Sequence, residues 1–120
     1  MGEKTICLGL IAGHHDMPVD GYVLESVPDV MDMYGIHKAV FSSLEKILGP
    51  YIRITDYGPA VNGTAEDEAH YECSAKLLLY ITGLTAAALE VLSFCAQNGV
   101  SITAMYFDRE AGDYIRQPLL

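Results

Sequence analysis

One stretch limits the possible folds more than any other. Lys76–Thr82 (Lys-Leu-Leu-Leu-Tyr-Ile-Thr) is apolar on both alternating faces, as a strand buried in the middle of a sheet is. Gly83-Leu84-Thr85 follows, with Thr85 as the expected N-cap, and Ala86–Asn98 is a helix whose one charge is Glu90. Asn98-Gly99 is a helix stop, and Val100–Asp108 is rich in β-branched and aromatic residues, as strands are. A strand, a helix and a strand in so short a span make a βαβ crossover, which requires neighbouring parallel strands with the helix packed on their sheet. Arg109-Glu110-Ala111-Gly112 reads as a hairpin turn, and Asp113–Gln117 returns as an antiparallel edge strand ended by Pro118.

The N-terminal half echoes this unit. Thr5–Ala12 is a short apolar strand, and the helix Ile36–Leu48 places Ile36, Ala39, Val40, Leu44 and Ile47 at helical spacing before the Gly49-Pro50 stop. Tyr51–Tyr57 alternates Ile52 and Ile54 against Arg53 and Thr55, as a half-exposed strand does. Between strand and helix lies a long connection, residues 13–34, carrying Pro18, Gly21, Pro28 and the acids Asp16, Asp20, Glu25, Asp29 and Asp32. Ser26 and Pro28 could open a short helical turn there. A second irregular stretch, residues 58–72, contains the possible capping box Thr64-x-x-Asp67. The expectation is a single α/β domain over residues 1–120. Its small, mostly parallel sheet is built from two βαβ-like halves with a C-terminal antiparallel hairpin.

Charge narrows the partners. Sixteen acids against seven bases give a net charge of −9, which opposes binding to long nucleic acid through its phosphates. A small nucleotide remains compatible, because a few backbone N–H groups and one or two arginines can hold it. No apolar run reaches the roughly 18–20 residues of a membrane span, and Gly13-His14-His15-Asp16 after the first apolar stretch is no signal-peptidase site, so a cytoplasmic protein is expected. Cys7, Cys73 and Cys95 are an odd number without CxxC spacing, which favours buried thiols over disulfides or a zinc knuckle. With 51% apolar and only 19% charged residues, part of the apolar surplus is expected to pack against further copies of the chain. Ala86–Asn98, apolar on nearly all sides, is the expected contact, centred on Leu92.

Four places could carry chemistry. The turn Thr82-Gly83-Leu84-Thr85 presents a helix N-terminus, where free N–H groups and the helix dipole favour an anion, at the carboxyl end of a strand. It is neither GxGxxG nor a P-loop, and a plain tight turn accounts for it equally well. His14-His15-Asp16 would share that edge if the two leading strands are parallel neighbours. His14 could contact a ligand there, but the set is incomplete for a metal. Glu66–Cys73 gathers four carboxylates, a histidine and a thiol without an EF-hand glycine, and reads as a solvated acidic surface. At Tyr106-Phe107-Asp108-Arg109-Glu110, either aromatic ring could stack on a base and Arg109 could grip a phosphate. Arg116 faces this region across the hairpin. A salt bridge from Arg109 to Asp108 or Asp113 is the plainer account of that arginine. No GxSxG elbow is present and no cysteine has an evident histidine partner, so nucleophilic hydrolysis has no support and no cofactor is implied.

Leu79-Tyr80-Ile81-Thr82-Gly83-Leu84-Thr85, then a helix, then Ser101-Ile102-Thr103-Ala104-Met105-Tyr106-Phe107-Asp108-Arg109-Glu110-Ala111-Gly112-Asp113-Tyr114, resembles small phage and prophage proteins. Gly13-His14-His15-Asp16-Met17-Pro18-Val19-Asp20-Gly21-Tyr22 adds to the likeness. Within that set the chain is most similar to the phage-encoded Thoeris anti-defence sponges, over residues 76–117 above all. The resemblance implies an oligomer in the host cytoplasm that sequesters a cyclic ADP-ribose isomer or another small cyclic nucleotide without cleaving it. With a net charge of −9, such a protein must gather its few bases at the pocket. The candidate ligand-binding set is then His14, Thr82, Gly83, Thr85, Tyr106, Phe107, Arg109 and Arg116, with no metal. A fainter similarity is to CRISPR-associated ring nucleases, which would make the chain a phosphodiesterase using His14 or His15 as acid or base. A third reading is a structural or protein-interaction module with no small ligand.

Overall fold

The computed structural model describes residues 4–12, 19–26, 29, 31–57, 69–81 and 84–120. In chain order these form β1 (Lys4–Ile11), β2 (Gly21–Leu24), α1 (Met33–Leu48), a single 3-10 turn (Gly49–Tyr51), β3 (Ile52–Tyr57), β4 (Ala69–Cys73), β5 (Ala75–Tyr80), α2 (Thr85–Asn98), β6 (Ser101–Asp108) and β7 (Asp113–Pro118). The main sheet runs β2-β1-β5-β6-β7. Its first four strands are parallel, and β7 returns antiparallel to β6 with Asp108 opposite Asp113. The doubly apolar strand β5 is the central one. The chain is the α/β protein its pattern predicts, with crossovers β2–α1–β5 and β5–α2–β6.

The core follows from strand alternation. Ile6, Leu8 and Leu10 of β1, Leu77 and Leu79 of β5, and Ile102 of β6 point to one face. There they meet Ile36, Val40, Leu44 and Leu48 of α1 and Ala87, Val91, Phe94 and Cys95 of α2. The α1 set falls on every fourth residue, so one stripe of the helix is buried while Lys38, Ser42 and Glu45 stay in solvent. Asp32 caps α1, its carboxylate accepting from the Gly35 N–H at 2.9 Å. This starts the helix one turn ahead of the expected Ile36. At the end of α2, Gly99 takes a left-handed conformation (φ 67°) that also lets the Tyr71 carbonyl of β4 approach its Cα. A Cβ there would collide with that carbonyl.

Two strands differ from the sequence expectation. Residues 21–24 of the expected long connection form β2, paired parallel to β1 with Gly9 opposite Tyr22. Four residues give alternation too little length to stand out, and Tyr22-Val23-Leu24 is a continuous apolar run. Residues 69–72 of the expected irregular stretch, together with Cys73, form β4 and pair antiparallel with β3, away from the main sheet. The echo between the halves therefore stops at Ile54-Thr55: that strand joins the accessory pair, and α1 returns to the main sheet only at β5. Pro28 and the possible capping box at Thr64 and Asp67 lie outside the described residues. No described helix is long and apolar enough to cross a membrane.

Candidate functional site

The strand order brings three carboxyl ends together. β1, β5 and β6 are adjacent and parallel, with Gly9 opposite Tyr80 and Tyr80 opposite Met105. The ladder runs one step further, Ile81 N–H donating to the Met105 carbonyl at 2.9 Å, and Ala12 N–H donates to the Leu24 carbonyl of β2 at 2.9 Å. The chain therefore leaves β1 and β5 side by side at their carboxyl ends. In open α/β sheets this edge is where ligands sit. His14, Thr82 and Gly83 themselves lie outside the described residues. Thr85 is exposed and is the first residue of α2, so it is not the cap. The capping position is Leu84, half-buried against the core, and no side chain caps the helix there. Packing of the leucine sets this start in place of the hydroxyl.

The sheet's two faces are unlike. Opposite the helices, Cys7, Leu78, Tyr80, Thr103, Met105, Phe107, Tyr114 and Arg116 fall on the alternate positions of β1, β5, β6 and β7. Tyr114 is the hub of an aromatic group. Its ring meets Tyr80 edge-on at 4.9 Å between centroids and Phe107 at 5.4 Å. Phe107 is half exposed, whereas Tyr80 is buried. Burial pushes the Tyr80 phenol up from its ordinary pKa, the neighbouring Cys7 and Tyr114 add to the rise, and the Arg116 guanidinium opposes it. Tyr80 thus stays a hydrogen-bond donor throughout the neutral range, with a guanidinium beside it. Burial, followed by the Asp20 carboxylate, also raises the pKa of the Cys7 thiol, which keeps it protonated near neutrality. Asp20 is anchored to the same strand by accepting from the Cys7 N–H at 3.0 Å. Aromatic walls, phenols and one arginine can hold a flat ring carrying negative charge.

This geometry divides the predicted set. Tyr106 and Phe107 are consecutive in β6 and point to opposite faces. Tyr106 pairs with Ile115 on the helix side, so one site in one chain cannot use both rings. Arg109 sits in the hairpin turn. Three rungs of ladder, roughly 10 Å, separate the Met105–Arg116 pair from Asp108–Asp113, and Arg109 lies beyond them. The two arginines are therefore not brought together, and Arg116 is the one at the aromatic group. Neither Asp108 nor Asp113 forms the expected bridge to Arg109. Asp108 accepts from the Glu110 N–H at 3.0 Å and Asp113 from the Tyr114 N–H at 2.7 Å. In the acidic stretch, Glu72 pairs with Arg53 across β3 and β4 at 3.4 Å.

Sequence reasoning missed Tyr80, Tyr114 and Cys7. Their signal was available in the second phase of the strand alternation, residues 78, 80, 103, 105, 107, 114 and 116. It becomes readable only once the described helices are known to cover the other phase. A second missed cluster joins the helices. His37 Nδ1 meets Glu90 Oε2 at 2.6 Å, its ring stacks on Phe41 at 4.2 Å, and Phe41 meets Phe94 edge-on at 5.2 Å. Beside it Tyr34, His37, Lys38, Phe41, Ser42 and Glu45 line a groove of about 350 Å³. Fifty-three residues separate His37 from Glu90, which no local spacing reveals. Comparison with family models, with characterised proteins and with solved structures finds no match to this chain.

Proposed function

We propose that the chain is a binding protein that sequesters a small cyclic nucleotide or ADP-ribose-derived signal without cleaving it. The observation that carries this reading is the Tyr80–Tyr114–Phe107 group with Arg116, set on the sheet face opposite the described helices, where β1, β5 and β6 run side by side to their carboxyl ends. The half-exposed Phe107 ring offers a base a stacking partner, and the guanidinium takes two phosphate oxygens in parallel hydrogen bonds. The helix α2 begins at the same edge and adds its positive dipole end. Among the binding residues are Phe107 and Arg116, with Thr85 at the edge. In sequence, His14 follows β1, and Thr82 and Gly83 follow β5. The partner copies expected of such a sponge and its place in a host cytoplasm belong to the same proposal.

Calorimetric titration with cyclic ADP-ribose isomers and cyclic oligoadenylates tests it, followed by mass spectrometry of what heat releases. Binding with intact recovery is the expected result, and Arg116→Ala weakens it about tenfold or more, the loss of a charge-assisted pair. Recovery of a hydrolysed product moves the chain to the ring-nuclease class. A melting temperature that responds to no nucleotide leaves a structural or protein-interaction module.

A further inference from the structure

The acidity of the chain is unevenly spread. Of its net charge of −9, the two helices contribute nothing: Lys38 and Lys46 balance Glu45 and Glu90. The helical layer is thus the surface on which two copies can meet without the like-charge repulsion that the rest of the chain imposes. It also carries exposed apolar groups, Met33 and Tyr34 (75% exposed) at the start of α1 and Leu89 (60% exposed) on α2. The groove of α1 lies between the ridge Tyr34–Lys38–Ser42 and the ridge His37–Phe41, which is the relief into which a second helix packs.

We propose that α1 is a two-fold dimer contact and that its occupant is α1 of a second copy, running antiparallel. Lys38 and Glu45 are seven residues apart on one helix face, about 10 Å along the axis. A two-fold axis passing between Phe41 and Ser42 sets Lys38 of each copy against Glu45 of the other, so one pair of charges makes two identical ion pairs. Phe41, half-buried in the single chain, comes to the centre of the contact. Tyr34 of each copy reaches Gly49 of the other, where a side chain would meet nothing within 4 Å of the Cβ position. His37 is held from behind by Glu90, so the ridge it shares with Phe41 is rigid before the partner arrives. This interface is independent of the ligand site on the opposite face of the sheet. It also replaces the contact expected through Leu92, which is half-buried against the core of its own chain.

Charge reversal tests the pairing, because Lys38 and Glu45 are exposed and the fold does not depend on them. Sedimentation equilibrium at tens of micromolar should show a dimer for the natural sequence. Lys38→Glu and Glu45→Lys should each raise the dimer dissociation constant about tenfold or more, since the two-fold repeats each change. Mixing the two single variants should restore dimers, now heterodimers, because one copy then brings an acid to both contacts and the other a base to both. The double exchange K38E/E45K should restore the homodimer. Circular dichroism confirms that each variant is folded. A monomer for the natural sequence overturns the proposal, as does a dimer that neither reversal weakens. Single variants that stay apart when mixed overturn the Lys38–Glu45 register.

Discussion

The two faces of the main sheet are made by the same strands and differ in almost every other respect. Along β5, Leu77 and Leu79 enter the aliphatic layer beneath the helices, while Leu78 and Tyr80 turn to the side without helices. The covered face is branched aliphatic side chains with no buried polar group among the described residues. The face without described helices carries a thiol, a thioether, phenols, a phenyl ring and a guanidinium. Parallel sheets are ordinarily covered on both faces. A parallel sheet whose described helices all pack on one face separates stability from recognition: one phase of the alternation holds the helical layer and leaves the other to be chemically varied.

That separation is broken most directly by truncating adjacent residues. Leu79→Ala empties a site 1% exposed at the centre of the sheet and should cost about 2–5 kcal/mol. Leu78→Ala, one position away on the half-buried face, should cost less than half as much. Urea midpoints of the two variants check this. Equal losses would mean that the second face is as tightly packed as the first, and the division of roles would fail.

The same division explains what was legible in the sequence. Residues 76–118 are read almost correctly because each element there has its own local signal: a doubly apolar strand, a helix ending in Asn98-Gly99, and a hairpin turn. β2 and β4 are missed because their partners are distant in sequence: Leu8 selects Gly21, and Ile52 selects Cys73. The cap at Leu84 is misassigned because core packing outweighs a hydroxyl. The candidate site fares worse, since the choice between Tyr106 and Phe107 depends on which face the helices cover. Both crossovers place their helices on one face, and this is a property of strand order, which alternation alone does not encode.

The cysteines give a smaller and more selective comparison, because Cys95 faces the core from α2 and Cys7 lies on the other side of the sheet. Burial pushes the Cys95 thiol up to about 12, with Cys73 adding to the rise. An unfolded thiol ionises near 8.5–9, so between about pH 9 and 12 the unfolded chain has lost a proton that the folded chain keeps. Stability therefore falls as pH rises through that window, by about 1.4 kcal/mol per pH unit from this group. Cys95→Ala should lower stability at pH 7, yet lose less than the natural sequence between pH 8.5 and 10.5. Groups common to both chains cancel in the difference. At neutral pH a thiol reagent should reach Cys95 only after unfolding and the half-buried Cys7 and Cys73 before it. Parallel alkaline losses in both chains would show that Cys95 is not held protonated by its burial.

The smallest expected effect on stability belongs to Arg116, and it is the most direct probe of the face opposite the described helices. Arg116 is exposed, pairs with Met105 across the hairpin and sits where its charge favours the ionised form of Tyr80. Arg116→Ala removes an exposed side chain, so the urea midpoint should change by no more than about 0.5 kcal/mol in stability. It also removes the one opposing influence on a phenol that burial, Cys7 and Tyr114 already push up. The titration of Tyr80, followed by carbon NMR of labelled tyrosine and assigned with Tyr80→Phe, should therefore move to still higher pH. Arg116→Lys keeps the charge and should leave Tyr80 nearer its position in the natural sequence, while giving up the planar fork that grips a phosphate in two bonds. The pair of variants thus separates charge from shape at one position. If Arg116→Ala leaves the Tyr80 midpoint unmoved, the guanidinium does not face the phenol. The aromatic group is then a packed patch without its anion-binding arm, and the two sheet faces differ in composition but not in role.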